Sequence, residues 1–320
     1  SFADQLIDAQ RGHYATLLSH FYRYTSLLVG LSLEDATLKH LLRQSAQTNP
    51  GHVHYYVAFT PGAAPSPDRE RAIRDANFNT YNLVTLFLTP DELGALGRLV
   101  AATDVEFASL ADEAGNPESY VYYLTGAVGA GKTSSLAFFK SLRSYDEWPE
   151  EKPALLHQAA DTLTEEQRQQ IDAWIDRQMR RRNYAIHRDR HQLAIVDRSP
   201  LDPVAFAPDS SKRAGELKNL YAQSYAKVPR QGMLILLVGT ADVMYSRTLD
   251  RHKKASPEYI ARLQATFERL CHRAGPHAVV DTVDVTLHEV VRRVSRVIHL
   301  EAYDPADLGG LLESIGSSPL

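Results

Sequence analysis

Short apolar runs alternate with amphipathic stretches along most of the chain, which is the pattern of repeated β/α units and a mostly parallel sheet. The first clear run, Leu27-Leu28-Val29, closes on Gly30 and leads into a helical pattern reaching Leu42, as a buried strand feeding a turn and a helix would. Two further strands are predicted over 52–59 (HVHYYVAF) and 81–88 (YNLVTLFL), separated by a Pro/Gly/Ser-rich loop and a charged helix. A helix near 90–103 precedes the polar stretch 110–119, where a domain break is expected between residues 1–112 and 113–320.

The alternation then resumes. Strand 120–125, helix 131–142, a strand near 142–145, long helical segments over 164–183 and strand 192–197 follow in order. Helix 210–228, strand 233–240, a strongly periodic helix 256–274, strand 277–282 and a closing helix over 285–301 complete the reading. Ser256 is expected to cap the periodic helix, with Pro257 at its first position. The predicted class is α/β, with two consecutive three-layer domains built on parallel sheets.

At 320 residues, 44% of them hydrophobic, the chain can bury two cores. Its 35 Lys and Arg against 39 Asp and Glu give a net charge of -4, so it carries no general electrostatic footprint for nucleic acid; a role there needs a local patch. No apolar run reaches the roughly 18 residues of a membrane span, and no signal-peptide pattern is evident. A single cysteine, Cys271, can close neither an intramolecular disulfide nor a zinc knuckle, which suits a reducing cytoplasm and a buried helical position.

The clearest chemistry lies in Gly126-Ala127-Val128-Gly129-Ala130-Gly131-Lys132-Thr133, followed by Ser134. It matches G-x-x-x-x-G-K-[ST], the Walker A loop, and stands between a predicted strand and a predicted helix as that motif requires. The glycines let backbone N–H groups converge on phosphate oxygens, Lys132 reaches the terminal phosphates of ATP, and Thr133 can ligate Mg²⁺. Strand 192–197 ends in Asp197-Arg198-Ser199. There Asp197 can hold Mg²⁺ directly or through water and Arg198 can grip a phosphate or a substrate hydroxyl; the alternative makes Asp197 and Ser199 simple caps.

Residues 120–299 resemble the deoxynucleoside and thymidine kinase family and the wider nucleoside monophosphate kinases. Asp197-Arg198-Ser199 matches that family's acid-Arg-Ser signature, and Arg247, Arg251, Lys253 and Lys254 match its basic lid, whose cations offset charge on the transferred phosphoryl group. The resemblance implies a general base near Asp146, Glu147 and Glu150. Glu147 is preferred because Trp148 beside it would desolvate the acid and raise its pKa. It also implies that Gln178 reads a base edge, and that Asp281 and Thr282 flank the adenine. The insertion at 149–170 is unusual for these kinases and leaves the acceptor open.

Other nucleotide machines match less well. An AAA or helicase motor is expected to carry a strand ending in Asp-Glu, and a small GTPase an Asn-Lys-x-Asp base reader; neither is found. His187-Arg188-Asp189 looks like a protein-kinase catalytic loop without its partner motifs. The pairs His187/His191 and His52/His54 have metal-compatible spacing but no evident third ligand, so ordinary strand or surface histidines are expected.

Residues 1–112 resemble the C-terminal half of a SIR2-like domain, a Rossmann-type, NAD-consuming fold related to sirtuins. Gly30, Ser32, Leu33 and Asp35 carry its Gly-x-Ser-Leu-x-Asp turn, followed by the strand HYYVAF. In that family the turn approaches the NAD ribose, which singles out Gly30 and Ser32. The family's glycine-rich turn and catalytic Asn or His are not found, so a preceding SIR2 segment or a homo-oligomer is expected to cover the half-sheet.

Together these readings imply an Mg²⁺-dependent phosphotransferase acting from ATP on a nucleoside or nucleotide, fused to an NAD-binding region that in a longer chain could hydrolyse NAD. The alternative is a nucleotide-sensing module that controls a SIR2-like NADase in bacterial antiviral defence. No membrane partner and no strong nucleic-acid signal are expected.

Overall fold

Both β/α series close into parallel sheets, and these lie in separate compact units. The computed structural model describes residues 13–62, 65–117, 119–157, 163–189, 193–249 and 255–317. Unit one holds the described residues up to Leu110 together with 138–141 and 291–301, and unit two holds the rest.

Unit one begins with α1 (His13–Arg23) and runs through β1 (Leu27–Leu28), α2 (Ala36–Thr48), β2 (His54–Phe59), α3 (Pro67–Tyr81), β3 (Leu83–Leu88), α4 (Pro90–Ala101) and α5 (Asp104–Glu113), the last ending in unit two. Its three strands pair in parallel in the order β1-β2-β3. Phe21 from α1, Leu41 and Leu42 from α2, Leu28 and Leu83 from the sheet, and Tyr81 from the end of α3 form its main core. A smaller cluster of Val53, Phe78 and Val84 receives Leu300. Asp35 starts α2 by accepting the Leu38 N–H at 2.8 Å, so the predicted Gly-Ser turn delivers the chain directly into a capped helix.

Unit two contains β4 (Tyr120–Thr125), α6 (Lys132–Leu136), β5 (Arg143–Tyr145), α7 (Glu165–Arg188), β6 (Leu193–Asp197), α8 (Asp202–Phe206) and α9 (Ser210–Ala222). Then come β7 (Met233–Val238), α10 (Ala241–Ser246), α11 (Pro257–Ala274), β8 (His277–Asp281), α12 (Leu287–Leu300) and α13 (Leu308–Ser317), with α12 continuing into unit one from Val291. Its sheet has the order β5-β6-β4-β7-β8, all parallel, so β4 lies at the centre with β6 and β7 on either side. Leu124, Ile195, Leu234 and Ile235 are fully buried, as near-continuous apolar strands covered on both faces should be.

Several boundaries differ from expectation. The helix expected over 131–142 stops at Leu136, because 138–141 join the packing of unit one, where the Gly51 backbone lies against the Phe138 carbonyl. The helix near 90–103 breaks at Ala102 and a second one starts at Asp104, each opened by a threonine and a glutamate three residues on. Helices α1, α8, α10 and α13 were not anticipated; two of them are only five or six residues long and present too few turns for a periodicity to register. Ser256 does cap α11, accepting the Tyr259 N–H at 3.2 Å, and Cys271 is fully buried on that helix, where burial pushes its thiol up to about 12. Among the described residues no helix is long and apolar enough to cross a membrane.

Candidate active site

Strand register builds this site. Asp197, the last residue of β6, pairs with Leu124 of β4, which puts its carboxylate beside the point where β4 opens into the Gly126–Thr133 loop. On the other side β7 pairs Leu236 with Thr125, so the next carbonyl, Leu237 O, lies against Gly126, where a Cβ would come within 2.5 Å of it. Gly126, Gly129 and Gly131 all adopt positive φ, at 139°, 85° and 94°. That conformation belongs to glycine and turns successive backbone N–H groups toward one concavity. Ala130 is buried beneath the loop and Ser134 is exposed at its far end.

Lys132 is almost fully buried and donates to the loop's own carbonyls, Gly126 O at 2.5 Å and Ala127 O at 3.0 Å. Burial and the neighbouring Arg198 lower its pKa to about 8, against the opposing pull of Asp202, Asp197 and Glu147. The Thr133 hydroxyl donates to Asp197 Oδ2 at 2.6 Å. Asp197 Oδ1 is enclosed and without a hydrogen-bond partner among the described residues. A hydroxyl and a carboxylate oxygen with spare lone pairs are hard donors that fit Mg²⁺, which takes few protein ligands and completes its shell with water and phosphate oxygens. The residues present therefore fit this ion.

Next to the loop, Asp202 organises the turn after β6. Its Oδ1 accepts the Ser199 N–H, the Ser199 hydroxyl and the Thr125 hydroxyl, each at 2.8 Å, all buried. Asp202→Ala would leave the Ser199 N–H and the Thr125 hydroxyl without this acceptor, with only the long 3.4 Å contact between the two hydroxyls remaining, and is expected to cost about 2–3 kcal/mol in urea denaturation. A change below about 0.5 kcal/mol would mean that the donors re-pair without it. Ser199 is thus part of the turn's internal bonding, whereas Asp197 keeps an oxygen free for a ligand.

Arg198 holds a left-handed backbone conformation, φ 69°, which swings its side chain out of the strand direction. Its guanidinium lies over the Phe206 ring, 5.1 Å from the centroid, and pairs with Glu147 at 3.0 Å. Burial raises the pKa of Glu147, opposed by the charge of Arg198. Arg182 from α7 spans the same region, donating to Asp197 O at 2.8 Å and Glu147 O at 3.2 Å, and so ties strand β6 to the Glu147 segment.

Glu147, Trp148, Met179, Arg182, Arg198 and Phe206 line a cavity of about 530 Å³, closed on its far side by the first turns of α9. Gln178 is not among its walls. The residue is fully buried and its amide donates to Glu150 Oε2 at 2.5 Å, so Met179 and Arg182 present the surface assigned to it by resemblance. A signal for Arg182 existed: Trp174, Gln178, Arg182 and Ile186 recur at helical spacing and all four are buried.

A second cleft of about 270 Å³ opens on the loop itself, between Gly129, Gly131 and Ser134 on one side and Arg247, Val285, Leu287 and Val290 on the other. Arg247 is held there by Thr282, donating to its Oγ1 at 3.0 Å and its carbonyl at 2.7 Å. Thr282 is itself buried, and Asp281 accepts the Val283 N–H at 2.8 Å; neither lines the cleft, whose wall is formed three to nine residues further on. Arg251, Lys253 and Lys254 lie outside the described residues, as does His191.

The remaining expectations fall elsewhere. Gly30 takes φ 70°, Ser32 accepts the Glu34 N–H at 3.1 Å, and neither lines the two cavities. His52 and His54 are buried in unit one with their rings 5.0 Å apart. Asp189 ends α7 and accepts from Arg143 and Tyr145, a structural role. Among the described residues no cluster of three or more His, Cys, Asp or Glu is arranged to hold a metal on its own.

Solved structures similar to this chain include thymidylate kinase from Ehrlichia chaffeensis, 17% identical, covering 57% of this chain and 100% of that one at a TM-score of 0.39. Deoxyadenosine kinase from M. mycoides with bound dATP is 16% identical over 54% of this chain and 96% of that one, TM-score 0.43. Shikimate kinase from Acinetobacter baumannii in complex with shikimate is 13% identical over 56% and 92%, TM-score 0.33. No curated protein matches the chain. The comparisons support no SIR2-like reading of residues 1–112. A family model described as "AAA domain" matches residues 121–287 and corrects the expectation that the lack of an Asp-Glu strand end sets the chain apart from AAA proteins, since strand β6 ends in Asp197, followed by Arg198, within that match. Covering more than half of the 320 residues, the match shows that the chain belongs to the AAA domain family.

Proposed function

We propose that unit two binds ATP at the Gly126–Thr133 loop and transfers its terminal phosphoryl group to the hydroxyl of a nucleoside- or nucleotide-like acceptor in the 530 Å³ cavity. The observation that carries this reading is the Glu147–Arg198 pair. It lines the cavity, and both charges act on Lys132 in the phosphate loop. A half-buried acid with a raised pKa, close to the phosphate-binding lysine, is what an acceptor hydroxyl needs beside it.

In this mechanism the loop N–H groups and Lys132 hold the β- and γ-phosphates, and Arg247 and the apolar wall of Val285, Leu287 and Val290 bracket the base. Thr133 and Asp197 would hold Mg²⁺, which when bound neutralises phosphate charge. Arg198 orients Glu147. Glu147 accepts the proton as the acceptor oxygen bonds to the γ-phosphorus, and the bond to the β,γ-bridging oxygen breaks, leaving ADP. Trp148 and Phe206 give the acceptor apolar walls, which disfavour water as a competing nucleophile.

The test is incubation of the full chain with γ-labelled ATP and a panel of nucleosides, deoxynucleosides and their monophosphates. A labelled acceptor is expected, and Glu147→Gln should lower kcat about a hundredfold with the Kd for ATP unchanged. ATP turnover to ADP and phosphate with no labelled acceptor would overturn the transferase reading in favour of an ATPase.

A further inference from the structure

The second half of α7 carries a surface that phosphoryl transfer does not use. Between positions 177 and 188 it holds five arginines and no Asp or Glu, in a chain whose net charge is -4. Arg182 turns inward to the active site, but Arg177, Arg180, Arg181 and Arg188 are exposed. Arg177, Arg181, Tyr184 and Arg188 fall within about 60° of arc at 100° per residue, so they form one stripe about 16 Å long. Tyr184 is 45% exposed and packs edge-on against Tyr225, itself 80% exposed, with centroids 5.4 Å apart. Lys227 follows two residues later on the exposed loop after α9.

Two acids touch this stripe. Glu150 pairs with Arg181, and Asp189 lies near Arg188 while also pairing with Arg143. They leave Arg177 on the stripe, and Arg180 and Lys227 beside it, without an ion pair among the described residues, so this surface keeps a net positive charge. Basic residues in the last turn of a helix are commonly explained by its dipole. That accounts for Arg188 but not for Arg177 to Arg181, two turns earlier, nor for two exposed aromatic rings beside them.

We propose that this stripe binds single-stranded nucleic acid, with Tyr184 and Tyr225 stacking on bases and the arginines tracking the phosphates. Exposed rings are stacking platforms indifferent to sequence, and a row of guanidinium groups supplies the electrostatic groove. Duplex DNA shields its base faces and could use only the charges, which is why the occupant is single-stranded.

The experiment is fluorescence anisotropy of a labelled 12-mer oligothymidylate with the full chain at 50 and 200 mM salt, beside a 12-bp duplex. Single-strand binding should be at least about tenfold tighter than duplex binding. Tyr184→Ala and Tyr225→Ala should each weaken it about tenfold, while Tyr184→Phe and Tyr225→Phe, which keep the ring, should bind within about twofold of the parent. Arg181→Gln with Arg188→Gln should flatten the salt dependence, with ATP binding retained as the check on folding. Absence of binding at 50 mM salt, equal affinity for duplex, alanine variants that bind as the parent does, or binding to phosphatidylserine vesicles without binding to the oligonucleotide would each overturn the proposal.

Discussion

Gly129→Ala is expected to destabilise unit two by about 4 kcal/mol and to abolish measurable ATP binding, while Gly131→Ala, two residues along the same loop, should cost only about 1–2 kcal/mol. Both glycines hold positive φ, 85° and 94°, so an alanine at either pays the left-handed strain. They differ in what surrounds them. A Cβ on Gly131 meets nothing within 4 Å, whereas one on Gly129 collides with the carbonyl of Met244 in α10, a backbone atom on a residue that is itself fully buried. The added methyl can be accommodated only by moving α10 or opening the loop, and α10 also delivers Arg247 to the nucleotide cleft. Urea denaturation with ATP titration of both variants checks the ranking. Equal losses would show that strain alone, and not the packing of the loop against α10, governs this site.

That contrast also marks where sequence reading reached its limit. The loop was legible because a glycine-rich turn between an apolar strand and a helix has one dominant use, and Asp197 because an acid ending an apolar strand has few. Their contact depends on the register Leu124 to Asp197, a pairing between strands some seventy residues apart that no local pattern encodes. Gln178 rests on the family position alone; the helix turns Met179 and Arg182 toward the cavity instead, and Glu150 accepts from the glutamine amide. The resemblance points to Asp281 and Thr282 as flanks of the adenine, but Thr282 braces Arg247, Asp281 accepts the Val283 N–H, and the cleft beside the loop is lined by Val285, Leu287 and Val290. Likewise the end of the short α6 was not legible, since the residues just after it, 138–141, belong to the packing of unit one. Local grammar was readable; the long-range pairings that assemble the site were not.

Acid should unfold unit one before it affects the phosphate loop. His54 is 1% exposed, its Nδ1 accepts the Ser26 N–H at 3.2 Å, and its Nε2 is enclosed without a hydrogen-bond partner among the described residues. Burial, then the neighbouring His52 and His20, push its pKa down to about 3; burial alone brings His299 down to about 4. His52 is lowered as well, again by burial first. These rings are neutral in the folded unit. In the unfolded chain they take up protons below about pH 6.5, so stability is complete above that value and is lost as the pH falls toward the folded values. At pH 5 each strongly shifted histidine costs about 2 kcal/mol relative to neutral pH, or about 4 kcal/mol for His54 and His299 together. Protonating His54 at Nδ1 would in addition break its bond to Ser26, because that nitrogen can no longer accept. Urea denaturation of the full chain at pH 7, 6 and 5, followed by hydrogen exchange of β2 and α2, should show the loss confined to unit one. His54→Gln keeps an acceptor near Ser26 without a titrating ring and should remove about half of the pH dependence. A His54→Gln variant as acid-sensitive as the parent would place the liability in another group.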